Sequence, residues 1–520
     1  MFFASVSAAA FGALALGQDG GFDLKNYHHY NAWALLGGRL GHDFVVAQQQ
    51  TWFNPLLDLQ YYIALEVLGP KAGSALVGAI QGTALWLLFE IAARALPSSE
   101  QGWSSTERLT TAIALVAVGA CGPITWVNLG ASRGDLTVSI FVLGSVLLLL
   151  DLPDFARTGQ ASGRAPHRVL LASGALMGLG CGLKLTASSF AVGGLIALLV
   201  SSSGPMGDKL RTAAAWSGAC VAAMLVSAGP WMAVLWSHYK SPIFPFANHV
   251  IASPYAPETS FADVRFRPDG LAETLSYPLH FASGGEVAWE FAFRDLRLGL
   301  LYVLLVALAA RFVLNKGRGG PRPQSSRLFV LLTAFSVASY LAWQLAFCVY
   351  RYLAPLELLA PLMIVLVLVQ LLRNPARALA ASALAMGLIV WTVEMPQVER
   401  LAWSDDIFAV QLPSAPMDDD AVVILAGDDA TSYLVTYFPP EVRFLRIAGN
   451  FAAPDEDTQL HRDMARTIDS ATGSLSFLKG PYAIDHEALR HFGVAIEEGS
   501  CLPVLSRVDN DLALCTLYRL

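Results

Sequence analysis

"VLLASGALMGLGCGLKLTASSFAVGGLIALLV", residues 169–200, carries a single charged side chain, Lys184. About 20 apolar residues in a helix cross the ~30 Å hydrocarbon core of a bilayer, with every backbone hydrogen bond made inside the helix. The stretch therefore reads as membrane-embedded, either as one long helix or as a tight pair of spans meeting near Lys184. An unpaired ammonium in such a run costs several kilocalories per mole. Snorkelling to the interface lowers that cost, and an anionic partner would offset it.

The rest of the chain agrees. Of 520 residues, 55% are hydrophobic and 14% charged, and the mean hydropathy is +0.50. Apolar windows recur at 2–17, 73–94, 109–127, 136–151, 168–183, 186–201, 212–236, 297–314, 328–347, 353–372 and 378–394. The expected fold class is thus a polytopic α-helical membrane protein with about eleven transmembrane helices. The weak ten-residue alternation of a membrane β-barrel is absent. A net charge of −7, with much of the acid excess beyond residue 400, offers no basic surface for nucleic acid. The first apolar run lacks a basic leader, and "SVSAAA" (5–10) comes too early for a cleavage site, so it reads as a retained helix.

Arg and Lys in alternate short loops set the orientation. Arg94 and Arg108, then Arg157, Arg164 and Arg168, then Lys209 and Arg211, then Arg311, Lys316, Arg318, Arg322 and Arg327, then Arg373 and Arg377 mark the cytoplasmic side. "GRGGPRPQSS" (317–326) is a linker on that side. The opposite face receives loops 18–72 and 237–296, the short "NLGASRGD" (128–135), "YRY" (350–352) and the carboxy-terminal tail. Two domains are expected: 1–394 in the membrane and 395–520 as a small extracytoplasmic α/β domain. In the tail "AVVILAG", "VRFLRIAG" and "LPVLSRV" are strand-like and "TQLHRDMARTID" is helical. Cys121, Cys181, Cys220 and Cys348 read as small buried side chains in apolar segments. Cys501 and Cys515 are able to pair if the tail lies outside the cytoplasm.

Polar groups gather on that same face. "GFDLKNYHHYN" (21–31) places Asp23, Lys25, Asn26, His28 and His29 directly after the first helix. That density exceeds what capping the next helix requires. "QQQTWFNPLLDLQYY" (48–62) adds Asn54 among aromatic and amide groups that suit a sugar or an interfacial belt. Asp135 opens the fourth span, either as a dipole partner or held near Asp23. Two such carboxylates are where a divalent cation would sit if one is used, although carboxylates alone are weak grounds for a metal. Arg351 in "CVYRYLAPLE" (348–357), followed by Tyr352, offers a forked, permanently charged donor set at headgroup level. The Pro- and aromatic-rich segment 236–270, with His238 and Tyr239, suits a lid lying on the membrane.

These residues together resemble the GT-C glycosyltransferases, a superfamily that includes protein O-mannosyltransferases, aminoarabinose transferases and oligosaccharyltransferase catalytic subunits. The resemblance rests on an acid-bearing first outer loop, a second acid in the next one, "SPIFPFAN" (241–248) after the seventh span, and "RYLAPLE" (351–357) opening a late helix. The chain lacks the adjacent Asp-Glu pair of the O-mannosyltransferases and the WWD-type signature of oligosaccharyltransferases. The resemblance implies a polyprenyl-phosphate sugar donor, a glycan, lipid or protein acceptor, usually inversion at the anomeric carbon, and a place in the bacterial inner (plasma) membrane with the active site outside. It implies Asp23 as the base or acceptor-orienting acid, Asp135 as the second-loop acid, and Arg351, helped by Lys184 and Tyr352, as donor-phosphate ligands. Lys25, Asn26, His28, His29, Asn54, His238 and Tyr239 are the expected substrate contacts. A transporter or flippase is the rival class, but transporters place their sites at mid-membrane on broken helices, often between internal repeats.

Overall fold

The computed structural model describes residues 1–152, 154, 166–259, 261–315, 327–414, 418 and 420–520. Arg157, Arg164, Lys316, Arg318, Arg322 and the linker 317–326 lie outside the described residues.

The stretch around Lys184 forms two helices, Pro166–Leu183 and Ser188–Ser201. Lys184 itself is extended, with φ −145° and ψ 111°, and a 3-10 turn, Leu185–Ala187, restarts the chain. The two helices find different partners. Gly174, Gly178 and Gly182 recur every fourth residue along one face of the first, where a Cβ would stand 2.3 Å from Trp216 O, 1.9 Å from Cys220 O and 2.0 Å from Ser227 Oγ. The Met206–Tyr239 helix therefore approaches to backbone contact, the small-residue packing that replaces hydrophobic burial between helices in lipid.

Helices occupy all eleven expected windows, and one window is divided: 109–127 becomes Ser105–Ala120 and Pro123–Asn128, separated at Cys121 and Gly122. Proline at the start of the second helix and the Glu357 carboxylate, which accepts from Ile124 N at 3.0 Å and Thr125 N at 3.3 Å, explain the restart. Six helices among the described residues are long and apolar enough to cross a membrane: Pro70–Ala95, Met206–Tyr239, Leu296–Leu314, Arg327–Ala346, Tyr350–Leu372 and Pro375–Thr392. Phe2–Leu16, Asp135–Leu150 and Leu185–Ser201 are apolar but shorter. The Tyr350–Leu372 segment is the most enclosed of the six, so the bundle core lies around it.

The bundle has two poles. At one, Arg94 bonds Asp151 and Glu90, each at 2.8 Å, Arg327 reaches Asp154 at 3.4 Å, and Arg311 donates to Leu371 O. The other carries loop 18–72 and the carboxy-terminal sheet.

That sheet has six strands. Val422–Ala426 pairs in parallel with Arg443–Ala448 and Leu475–Lys479. Leu512–Arg519 then runs antiparallel to Leu475–Lys479, Val494–Ile496 and Leu502–Val504. The tail segments read as strands and as a helix take those conformations, the helix as Gln459–Ser470. Cys501 is bonded to Cys515.

Loop 18–72 is stitched to this sheet. Phe44 N donates to Phe444 O at 2.8 Å, and Arg446 N returns a bond to Phe44 O at 3.0 Å. The buried Arg39 guanidinium bonds Asp43 and the carbonyls of Pro440 and Val442. Gln18 and Asp19 form a two-residue ladder with Leu401 and Arg400. The short segments that carry the candidate site are thus fixed from below by the bundle and from above by the sheet.

Candidate functional site

Two glycines precede Phe22 and Asp23, and the next turn, Leu24–His28, is a π-helix. At about 4.4 residues per turn, i→i+5 bonding places Asp23, Tyr27 and His28 on one side of the turn, a distortion found often at functional sites. Asp23 Oδ2 contacts an Arg351 guanidinium nitrogen and lies 3.5 Å from Arg133 Nε. Arg351 comes from the 3-10 turn Tyr350–Leu353 that opens the most enclosed helix, and Arg133 from the short loop before Asp135–Leu150. Burial acts to raise the Asp23 pKa, but Arg351 first and Arg133 second hold the carboxyl well below the usual carboxylate range. Asp23 is therefore a fixed anion and, while so clamped, a weak base.

The second acid follows Arg133 by two residues in the chain. Asp135 contacts Lys184 Nζ, which also donates to Arg133 O at 3.3 Å. The break in the apolar stretch thus turns Lys184 toward a buried carboxylate. Lys184 Nζ sits 5.3 Å and Arg351 Cζ 5.4 Å from the Tyr352 ring centroid, within cation–π range. Asp23, Asp135, Lys184, Arg351 and Tyr352 form one constellation, contributed by four separate stretches of chain.

Arg133, which stands in "NLGASRGD" two residues before Asp135, is the added member. Its place in the same short loop as Asp135 was the available signal. With it the cluster holds three basic side chains, two of them permanently charged guanidiniums, over two carboxylates. Among the described residues Arg133 Nε, Arg351 Nε and Asp135 Oδ2 are buried without hydrogen-bond partners. Buried polar groups are almost always paired; Arg351 Nε has no acceptor and Arg133 Nε has only its 3.5 Å ion-pair contact with Asp23, so the cluster has donor capacity to spare.

His28 and Asp58 adjoin this cluster. His28 Nδ1 is 2.6 Å from Asp58 Oδ1, and both side chains are buried. Burial raises the Asp58 pKa, with His28 opposing it.

Other expected contacts lie elsewhere. Lys25 reaches up to Asp509 at 2.8 Å and Glu399 at 3.6 Å, joining the loop to the carboxy-terminal region. Asn26 is buried between Gln50 at 3.4 Å and Gln48 at 3.5 Å. Asn54 donates to Gly182 O at 2.8 Å and Ser227 O at 3.0 Å, bracing the backbone just before Lys184. His238 is exposed against Gly41, and Tyr239 is buried with its ring stacked 4.6 Å from Phe244.

A divalent cation does not fit the residues present. Asp23 and Asp135 are each engaged by cationic side chains, and no group of three His, Cys, Asp or Glu among the described residues is placed to hold a metal.

His29 sits under the sheet, 3.4 Å from Thr436 Oγ1 and against the Tyr62 and Phe408 rings. Burial pushes its imidazole from the ordinary 6.5 down to about 4, Asp406 opposing. Between those values the unfolded chain binds the extra proton, so stability is full above about 6.5 and falls as pH drops toward 4. Thermal unfolding in detergent followed across this window should show Tm falling with acidification, and His29→Gln should flatten the dependence. An unchanged slope in that variant assigns the acid sensitivity to another group.

No family model matches the chain, and no curated protein does. Solved structures similar to it are of ArnT from Cupriavidus metallidurans. The form bound to undecaprenyl phosphate is 16% identical with a TM-score of 0.47, and the apo form is 18% identical with a TM-score of 0.44. Each match covers 75% of this chain and 62% of the ArnT chain, so this chain spans less than two thirds of the proteins it is similar to.

Proposed function

We propose that the protein is a membrane glycosyltransferase that moves a sugar from a polyprenyl-phosphate-linked donor to an acceptor on the extracytoplasmic side, with inversion. The observation that carries this reading is the cluster of Arg133, Lys184 and Arg351 beside Asp23 and Asp135, with Lys184 and Arg351 over the Tyr352 ring and Arg351 Nε buried without a hydrogen-bond partner. Forked, permanently charged donors match a phosphodiester and stabilise the charge that grows on it as the sugar leaves. Such a leaving group needs little protonation, so a site rich in fixed cations suffices on the donor side.

A groove of about 280 Å³ supports a lipid-borne donor. Leu56, Leu57, Ile80, Phe141 and Leu183 line it, together with Thr137. Leu183 precedes Lys184, and Thr137 follows Asp135 by two residues. An isoprenoid chain in this groove would present its phosphate to the cations. Asp23, already ionised, orients the acceptor hydroxyl. The density of Arg and Lys at the opposite pole favours placing the cluster outside the cytoplasm. The Cys501–Cys515 bond suits the same compartment.

The test is turnover in lipid nanodiscs with synthetic polyprenyl-phosphate sugars and a cell-envelope acceptor extract. Release of free polyprenyl phosphate that requires both acceptor and protein is expected. Release indifferent to the protein, across pentose and hexose donors, contradicts the assignment.

A further inference from the structure

Asp23 is poorly suited to accept a proton, because two guanidiniums share its carboxylate. Attack by a neutral hydroxyl nevertheless liberates one. Beside Asp23, on the same side of the π-turn, stands a dyad to which the foregoing steps give no task. Asp58, in the first turn of the Leu56–Leu68 helix, holds His28 Nδ1 at 2.6 Å. The other nitrogen, His28 Nε2, is buried with no hydrogen-bond partner among the described residues. A carboxylate fixing one imidazole nitrogen while the second is left open is the arrangement that orients a histidine for proton transfer.

We propose that His28 is the proton acceptor of the transfer reaction and Asp58 its positioning residue, with Asp23 confined to orienting the acceptor and balancing the guanidiniums. This rests on the glycosyltransferase reading. In the step, the acceptor oxygen forms its bond to the anomeric carbon as the bond from that carbon to the phosphate oxygen breaks. The phosphate leaves with the electron pair, and the hydroxyl proton passes to neutral His28 Nε2. Asp58 stabilises the imidazolium, which afterwards returns the proton to water.

The surroundings fit this division. Asp58, Asp23 and Tyr27 are the ionisable groups facing His28; Arg351 and Tyr352 act on Tyr27, and Lys184 acts on Asp58. The neighbouring turn Gln48–Trp52 contributes amides rather than charges. The Tyr27 ring lies 3.9 Å from the imidazole and limits its rotation.

The experiment compares wild type, His28→Gln, His28→Ala and Asp58→Asn in nanodiscs, measuring donor Kd, kcat and the pH dependence of kcat. General-base removal typically costs about 10²–10⁴-fold, so His28→Gln should lose kcat in that range with donor Kd within about twofold of wild type. The acid-side limb of its pH profile should disappear. Imidazole in the buffer should restore part of the His28→Ala turnover, which a structural histidine would not allow. Asp58→Asn should lower kcat and displace that limb while still binding donor, which serves if the His28 variants fold poorly. A His28→Gln enzyme with wild-type kcat and an intact acid limb overturns the proposal. A wild-type protein that transfers no sugar instead overturns the glycosyltransferase reading beneath it.

Discussion

Arg351→Ala should lower turnover by about 10³-fold or more, at the upper end of what single charge-stabilising donors contribute in enzymes. Arg351 neutralises Asp23 and, on the proposed reading, offers its buried, unpaired Nε to the donor phosphate. Removing it leaves Asp23 with Arg133 alone, 3.5 Å away, and cuts the cluster from three cations to two. Arg351→Lys should recover charge but not the planar fork, and should remain at least about tenfold impaired. Steady-state assays with donor in excess separate lost binding from lost kcat. Wild-type turnover in both variants would remove Arg351 from the site.

The second large effect is on stability. Lys184→Met leaves the buried Asp135 carboxylate without its direct partner, and breaking a buried pair from one side typically costs about 3–5 kcal/mol. Tm in detergent should fall sharply. The double variant Lys184→Met/Asp135→Leu, which removes both charges, should regain most of that loss, as apolar replacement of a buried pair often does. It should nevertheless stay inactive, because the phosphate would have lost a cation. A double variant as active as wild type would reduce Lys184–Asp135 to a structural pair.

Several members of the charged cluster were legible from local chemistry alone. Lys184 stood out because a charge inside an apolar stretch needs a reason, and Arg351 because a forked cation opens a late helix at the outer boundary. Asp23 and Asp135 followed from polar density in loops on one face. What local sequence did not show were tertiary relations. Lys25 looks like a member of the Asp23 group, yet its partner Asp509 lies 484 residues away and belongs to the region above. Asn54 suits a sugar ligand, but it spans two carbonyls exposed where a glycine stripe lets the Pro166–Leu183 and Met206–Tyr239 helices meet. Asp58 sits among leucines at an ordinary helix start, and only the π-turn brings His28 to it. The division of the 109–127 window was hidden for the same reason: the capping carboxylate, Glu357, comes from 232 residues further along than Thr125.

The helix pattern was readable because lipid leaves the backbone few choices. The convergence of four chain segments on one charged cluster was not, because it depends on packing rather than on propensity.

Native mass spectrometry of the protein extracted gently from membranes tests the anion site most directly. A bound isoprenoid phosphate or its glycosylated form, present in wild type and lost from Arg351→Ala at matched folding, is the predicted result. Equal retention of the same lipid by both proteins, or wild type carrying only bulk phospholipid even after loading with polyprenyl phosphate, would contradict it.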